Sequence, residues 1–325
     1  MASPPISRLQ KLSPRFPRPA SALLIHDFLW AKSDNRMTSD VPPTDFGQTH
    51  PGLGLLRMAS LLAEAQTDEP DVDALVLMSR QVDAGVLKGA APDEVWAELR
   101  RGIMGAAPSR MIATLRACGA LAIVLPEVAA LFGVPQMSEG QSDVDLGPHL
   151  MNGLDEAAAV AAPLSVRFAL LVMNVGKSDS PREHLPAHYR HIERGTPRIK
   201  GIAARFDVPP ECRELALLAL AECERVHRVS KMRAGPVAAM LERLGAFDAP
   251  DRFGRLMTVC ACDFRAHDGR AGQVYPKAAL LELARSACDG VKAGDDPDAT
   301  QTARAEAIAR AFRSVRWSDE TVDGN

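Results

Sequence analysis

From Pro51 onward the apolar positions recur at the spacing of one α-helical face. Leu53, Leu55, Leu56, Leu61 and Leu62 mark a first amphipathic segment. Val72, Leu75, Val76, Met78 and Val82 mark a second, over residues 71–86. Pro92, Asp93 and Glu94 place a proline and two acids in the first turn of a third helix, ahead of Val95, Trp96, Leu99 and Ile103. Residues 111–117 predict a short helix that Gly119 closes, and Pro126 opens another that runs through Val128 and Leu131 to Gly133. The polar residues 136–147 read as a loop. Helices are then predicted over 149–160, 164–175, 192–206, 211–229, 236–244, 251–265 and 276–291. An acidic linker over 293–302 separates them from a last helix over 304–315, and the final residues read as frayed. No segment sustains the two-residue alternation of a half-buried strand, so the predicted class is all-α, without a sheet.

Residues 1–49 break this pattern. Pro4, Pro5, Pro14, Pro17, Pro19, Pro42 and Pro43 interrupt any period, and Arg8, Lys11, Arg15 and Arg18 precede the first acid, Asp27. Three readings are open: a disordered tail, a reading frame extended upstream of Met37, or a basic targeting segment.

Composition changes the picture little. With 46% hydrophobic and 24% charged residues the chain has ordinary globular usage, and its formal net charge of -3 provides no global basic field. No apolar run is long enough to span a bilayer, so no membrane partner is expected. The cysteines Cys118, Cys212, Cys223, Cys260, Cys262 and Cys288 lie in apolar helical contexts. Cys260 and Cys262 form C-x-C rather than a zinc-type C-x-x-C pair, so buried thiols in a reducing cytoplasm are expected.

Several segments, taken in order, carry a resemblance. They are Arg116-Ala-Cys-Gly-Ala-Leu121, Leu125-Pro-Glu-Val-Ala-Ala-Leu-Phe-Gly-Val-Pro135, Val166-Arg-Phe-Ala169, Val175-Gly-Lys177, Pro186-Ala-His-Tyr-Arg-His191, Val208 to Leu215, and Tyr275-Pro276. Upstream, Leu55-Leu-Arg57, Met78 to Leu87 and Pro92 to Arg100 join them. Over about residues 51–292 the chain resembles the neck, body and HD phosphohydrolase portion of bacterial multifunctional tRNA CCA-adding enzymes. The resemblance implies an elongated helical neck and body over 50–135, a degenerate HD-type helical domain over 136–245, and C-terminal helices with a frayed tail over 246–325. The family's nucleotidyl-transfer head carries Gly-Ser-x-x-Asp-x-Asp, which holds Mg²⁺. That motif occurs nowhere in these residues. The acidic pairs present, Asp71/Asp73 and Asp143/Asp145, fall on a predicted helix and a predicted loop. Nucleotide addition by these residues alone is therefore not expected, and a separate nucleotidyltransferase chain is a conceivable partner beside tRNA or another RNA.

HD phosphohydrolases use an early His, a His-Asp pair and a distant Asp. The resemblance places these at His149, Met173-Asn174 and Asp263. A thioether and an amide stand where an imidazole and a carboxylate are required, and both are poorer donors to a hard or borderline divalent ion. No metal or other cofactor is expected. The alternative is a divergent phosphohydrolase in which His149, His188, His191 and Asp263 hold Mg, Mn or Ni and activate water. The substrate-binding set implied for an RNA or nucleotide is Lys177, His188, Arg190, His191, Arg194, His227 and Arg265, with Glu224 where a relative has histidine. Hydrogen-bonded vestigial histidines are the other reading of that cluster. Arg182, Arg190, Arg194, Arg198, Lys200 and Arg205 share a segment whose only acids are Glu183 and Glu193, and Arg225, Arg228, Lys231 and Arg233 follow. With Tyr189 between them they predict either a phosphate-tracking patch or a solvated helix face. Trp96, before Arg100 and Arg101, reads as a core anchor. A purely structural or regulatory partner protein is the third function class.

Overall fold

Proline punctuates this fold. Pro92, Pro108, Pro126, Pro210, Pro250 and Pro276 each open a helix, where the missing N–H is no loss and the fixed φ is already helical. The computed structural model describes residues 46–64, 72–138, 141–229 and 233–314. The chain divides at Thr49/His50 into two units. Of the first, only the short helix Phe46–Thr49 is described. The tail readings for residues 1–45, Asp71, Lys231 and the frayed end beyond 314 lie outside the described residues.

The second unit runs in the order α1 (Pro51–Glu64), α2 (Val72–Asp83), α3 (Pro92–Ile103), α4 (Pro108–Ala117), α5 (Leu121–Val124), α6 (Pro126–Ala129), β1 (Pro135–Ser138), β2 (Gln141–Asp145), α7 (Leu146–Ala159), α8 (Leu164–Val172), α9 (His191–Arg205), α10 (Pro210–His227), α11 (Ala234–Arg243), α12 (Pro250–Arg265), α13 (Pro276–Ser286) and α14 (Pro297–Ser314). The all-α class holds. α1 packs on α3 and α4, and α8 lies among α3, α7, α10 and α12. Every residue from Ser165 to Lys177 is buried, so α8 is the central helix of the site region.

Two local expectations are corrected. The segment read as a loop holds an antiparallel hairpin, with Pro135 opposite Asp145, Gln136 opposite Val144 and Ser138 opposite Gln141, and a bulge between Gln136 and Ser138. It is the only sheet among the described residues. Its strands are four and five residues long and mostly polar, too short to show alternation. Asp143 and Asp145 thus lie on a strand. Asp145 accepts from Gly133 N and Gly147 N, both at 2.8 Å, and so caps α7 and closes the turn before β1. The second correction concerns the linker over 293–302. α14 already starts at Pro297, because Asp296 Oδ1 accepts from Asp298 N at 2.9 Å and caps the helix.

Buried contacts join the early helices to α8. Trp96 is buried, meets Phe168 edge-on at 5.9 Å and stacks on Phe206 at 5.8 Å, the anchor role its position predicts. The Arg167 guanidinium, also buried, donates to Ile103 O at 2.9 Å, Gly105 O at 2.8 Å and Ala162 O at 2.9 Å. It therefore satisfies carbonyls at the end of α3 and at the start of its own helix. Arg167→Ala leaves these buried acceptors unpaired. It is expected to lower unfolding free energy by about 2–4 kcal/mol. Arg101→Ala, which breaks an exposed pair with Glu64, should cost less than about 1 kcal/mol. Urea denaturation of both variants measures the contrast, and equal losses would contradict the assignment.

Candidate functional site

Helical spacing assembles the site. On α10, Cys223 and His227 are four residues apart and share a face, and on α12 the same holds for Cys260 and Asp263 at three. α7 brings His149 from its first turns, and α7, α10 and α12 all pack on α8. His149 Nε2 donates to Asp263 Oδ1 at 3.0 Å, and His227 Nε2 donates to Asp263 Oδ2 at 3.0 Å. His227 Nδ1 meets the Tyr275 hydroxyl at 2.7 Å. The Cys223 sulfur lies 3.3 Å from His227 Nε2. The His267 ring stands 4.5 Å from that of His149, whose buried Nδ1 has no hydrogen-bond partner.

The electrostatics favour an ion pair. Burial alone would raise the Asp263 carboxyl, but the charge and hydrogen bonds of His149 and His227 hold it well below the usual carboxylate range. Burial alone would lower His227, yet Cys223 and Asp263 outweigh it and raise the ring to about 10. His267 is pushed down to about 4 by burial and by His149. The Cys223 thiol is raised well above its ordinary value, by its hydrogen bond with Cys260 and by burial.

A second cluster lies where the β1–β2 hairpin, the segment after α8, α9 and α10 meet. Lys177 is buried and pairs with Gln136 Oε1 and with Glu224 Oε1, the latter at 2.9 Å. His188 donates from Nε2 to Pro135 O at 3.0 Å and meets Ser180 Oγ at 2.8 Å through Nδ1. His191 Nδ1 donates to His188 O at 2.7 Å, and its Nε2 stands 3.7 Å from Glu224 Oε1. Burial, then Lys177 among the nearby charges, lowers His188. Burial lowers His191 too, so both rings are neutral near pH 7. Gly176 permits the assembly: a Cβ there would lie 2.1 Å from His191 O.

The sequence-predicted residues therefore divide. His149, His227 and Asp263 meet in one network, and Lys177, His188, His191 and Glu224 in the other. The alternative metal set His149, His188, His191 and Asp263 is split between them, because the nitrogens of His188 and the Nδ1 of His191 are engaged by partners of the second cluster. Met173 caps α8 and Asn174 follows it in the next turn, both buried. Arg194 and Arg198 are internal clamps, whereas Arg190, Arg225 and Arg228 are exposed and pair with glutamates. Arg194 donates to Gly176 O at 3.0 Å and Ser180 Oγ at 2.9 Å. Arg198 donates to Val175 O at 2.7 Å and Ser178 Oγ at 2.8 Å, and pairs with Asp179. Arg205 makes a two-bond pair with Glu127 at 2.9 Å, and Arg190 pairs with Glu193 at 2.6 Å. Arg225 and Arg228 pair with Glu222 and Glu224. Arg265 donates to Gln273 O at 2.7 Å and folds the segment that leads to Tyr275. Cys223, Cys260, Tyr275 and His267 are the members that the sequence reading missed. The i,i+4 spacing of Cys223 and His227 was the available signal.

A helical unit with one short hairpin and a His–Asp–His network at a helix junction is thus defined. No family model matches the chain. Among curated proteins, it is 41% identical over 269 residues to the multifunctional CCA protein of Burkholderia multivorans, which covers 79% of this chain and 65% of that protein. The multifunctional CCA proteins of Cupriavidus necator (40% over 266 residues, 78% and 65% covered) and Aromatoleum aromaticum (41% over 240, 74% and 59%) are similar to it as well. The chain spans less than two thirds of the length of these relatives, and over that span it is similar to them. Among the described residues no helix is long and apolar enough to cross a membrane.

The ion pair has a pH signature. His227 is raised to about 10 from an unfolded value of about 6.5, so its contribution is complete below about pH 6.5 and is lost as the pH rises toward about 10. Asp263 is depressed, so its contribution is present above about 3.9 and is lost only in stronger acid. In chelator-treated protein, the urea midpoint should fall more steeply for wild type than for His227→Gln between about pH 7 and 9.5. Parallel profiles would contradict the pairing.

Proposed function

We propose that this chain is an RNA- or nucleotide-binding relative of the CCA-adding enzymes whose HD-type centre does not hydrolyse phosphoesters. The observation that carries the reading is the state of Asp263: both of its oxygens are engaged, by His149 and His227. A hydrolytic divalent ion needs anionic oxygen and imidazole donors and a free position for water. Met173 and Asn174 supply a thioether and a neutral amide in place of the second half of that set. Under this reading His149 and His227 orient the carboxylate rather than an attacking water.

For nucleic acid, the support is kinship with the CCA proteins, and tRNA is the ligand that kinship suggests. Around α9, Arg182, Tyr189 and Lys200 are exposed and could meet a phosphate backbone or stack on a base. Arg194 and Arg198, paired internally, form the scaffold beneath them, and Arg190, exposed and paired only with Glu193, shares that surface. Nucleotide addition, whose metal motif these 325 residues lack, would be supplied by a separate nucleotidyltransferase chain.

Binding of labelled tRNA across a salt series tests the first half. The logarithm of affinity should fall linearly with the logarithm of salt, with a slope of about 0.7–0.9 per phosphate contact. Absent or salt-indifferent binding would overturn it. For the second half, a 2′,3′-cyclic phosphate incubated with Mg, Mn or Ni should remain intact. Turnover that Asp263→Asn abolishes would refute that half, whereas Met173→His with Asn174→Asp should increase affinity for these ions.

A further inference from the structure

We propose that Cys223, His227 and Asp263 form a zinc site, which shares only Asp263 with the positions that the HD pattern supplies and takes its sulfur and imidazole donors from outside that pattern. The three donor atoms converge within 4.8 Å of one another. Cys223 Sγ stands 3.3 Å from His227 Nε2, and His227 Nε2 stands 3.0 Å from Asp263 Oδ2. A tetrahedral zinc ion with ordinary bonds to sulfur, nitrogen and oxygen separates its donors by roughly 3.3–3.6 Å. The two edges at His227 need to open by only a few tenths of an ångström to admit it, and the Cys223–Asp263 edge lies within 4.8 Å.

The donor chemistry selects the ion. Thiolate and imidazole suit zinc and disfavour magnesium or calcium, which take oxygen ligands. The scaffold is rigid, since Cys223 and His227 occupy one face of α10 and Asp263 comes from α12, packed against it. Each donor also has an outer partner. Tyr275 OH holds His227 Nδ1 at 2.7 Å, which turns Nε2 inward. His149 holds the other Asp263 oxygen at 3.0 Å. Cys260 hydrogen-bonds Cys223. The His227 side chain is 25% exposed, which opens the site to solvent on one side.

Zinc replaces the protons of the Cys223 thiol and of His227 Nε2, so the ion pair described above is the metal-free state of the same residues. The site needs neither RNA binding nor phosphoester chemistry. Both readings use Asp263, since zinc would take the oxygen that His227 now holds; the sulfur in the metal shell tests the zinc site alone, and the tRNA salt series tests the binding reading alone.

Full-length protein, stripped with chelator and re-equilibrated with zinc, tests it. Elemental analysis should return one zinc per chain. X-ray absorption at the zinc edge should show one sulfur at about 2.3 Å and nitrogen or oxygen at about 2.0 Å. Cobalt substituted for zinc should give thiolate-to-metal charge-transfer absorption, lost in Cys223→Ser and kept in Cys212→Ser. Tyr275→Phe should weaken zinc binding on the order of 10–100-fold with the sulfur shell unchanged. No retained zinc, a shell without sulfur in the wild-type protein, or a charge-transfer band that survives Cys223→Ser would overturn the proposal. The wild-type absorption spectrum decides the matter even if a variant fails to fold.

Discussion

The Asp263 carboxylate is the point on which three helices depend. It stands on α12, receives His149 from α7 on one oxygen and His227 from α10 on the other, and through His227 reaches Tyr275 at the start of α13. A buried anion so placed is tolerable only if cationic or donor groups surround it, because its desolvation is expensive. Removing either imidazole would strand the charge, and removing the charge would strand two imidazoles. The interaction fixes how α7, α10 and α12 meet, and α8 passes between them as a buried rod.

The second cluster obeys the same rule with a lysine as the buried ion. Lys177 is satisfied by Glu224 and Gln136, and Arg194 and Arg198 hold the backbone that carries it. A run of arginines here performs as scaffold what a similar run elsewhere performs as a ligand surface. Carbonyl oxygens of Val175 and Gly176 are the acceptors, so the guanidinium charge is directed inward while exposed Lys200 and Tyr189 face solvent. Any phosphate surface is therefore narrower than the count of basic residues suggests.

Much of the helical frame was legible, because Leu53, Leu56, Val95, Leu99 and Ile103 repeat on the period of a helix and prolines mark the starts. The hairpin was not, since its strands are short and their side chains polar. The start of α14 was hidden because Asp296-Pro297 reads equally as a linker and as a capped first turn. At the site, His149 and Asp263 could be placed by collinear order. His227 was noticed, but Cys223 and Tyr275 as its partners were not: whether Cys223 faces an imidazole or a leucine depends on how α10 rotates against α12, which no local pattern encodes. The arginine clamps were invisible for a related reason, since a backbone carbonyl leaves no signature in side-chain composition.

The account stands on a charged pair at the heart of the helix junction. Nitrogen-resolved NMR of the histidine rings in chelator-treated protein reads that pair directly. At neutral pH the account predicts that His227 carries protons on both ring nitrogens and keeps them well into the alkaline range. A His227 ring that is singly protonated at neutral pH, titrating near the ordinary value of about 6.5, would contradict it.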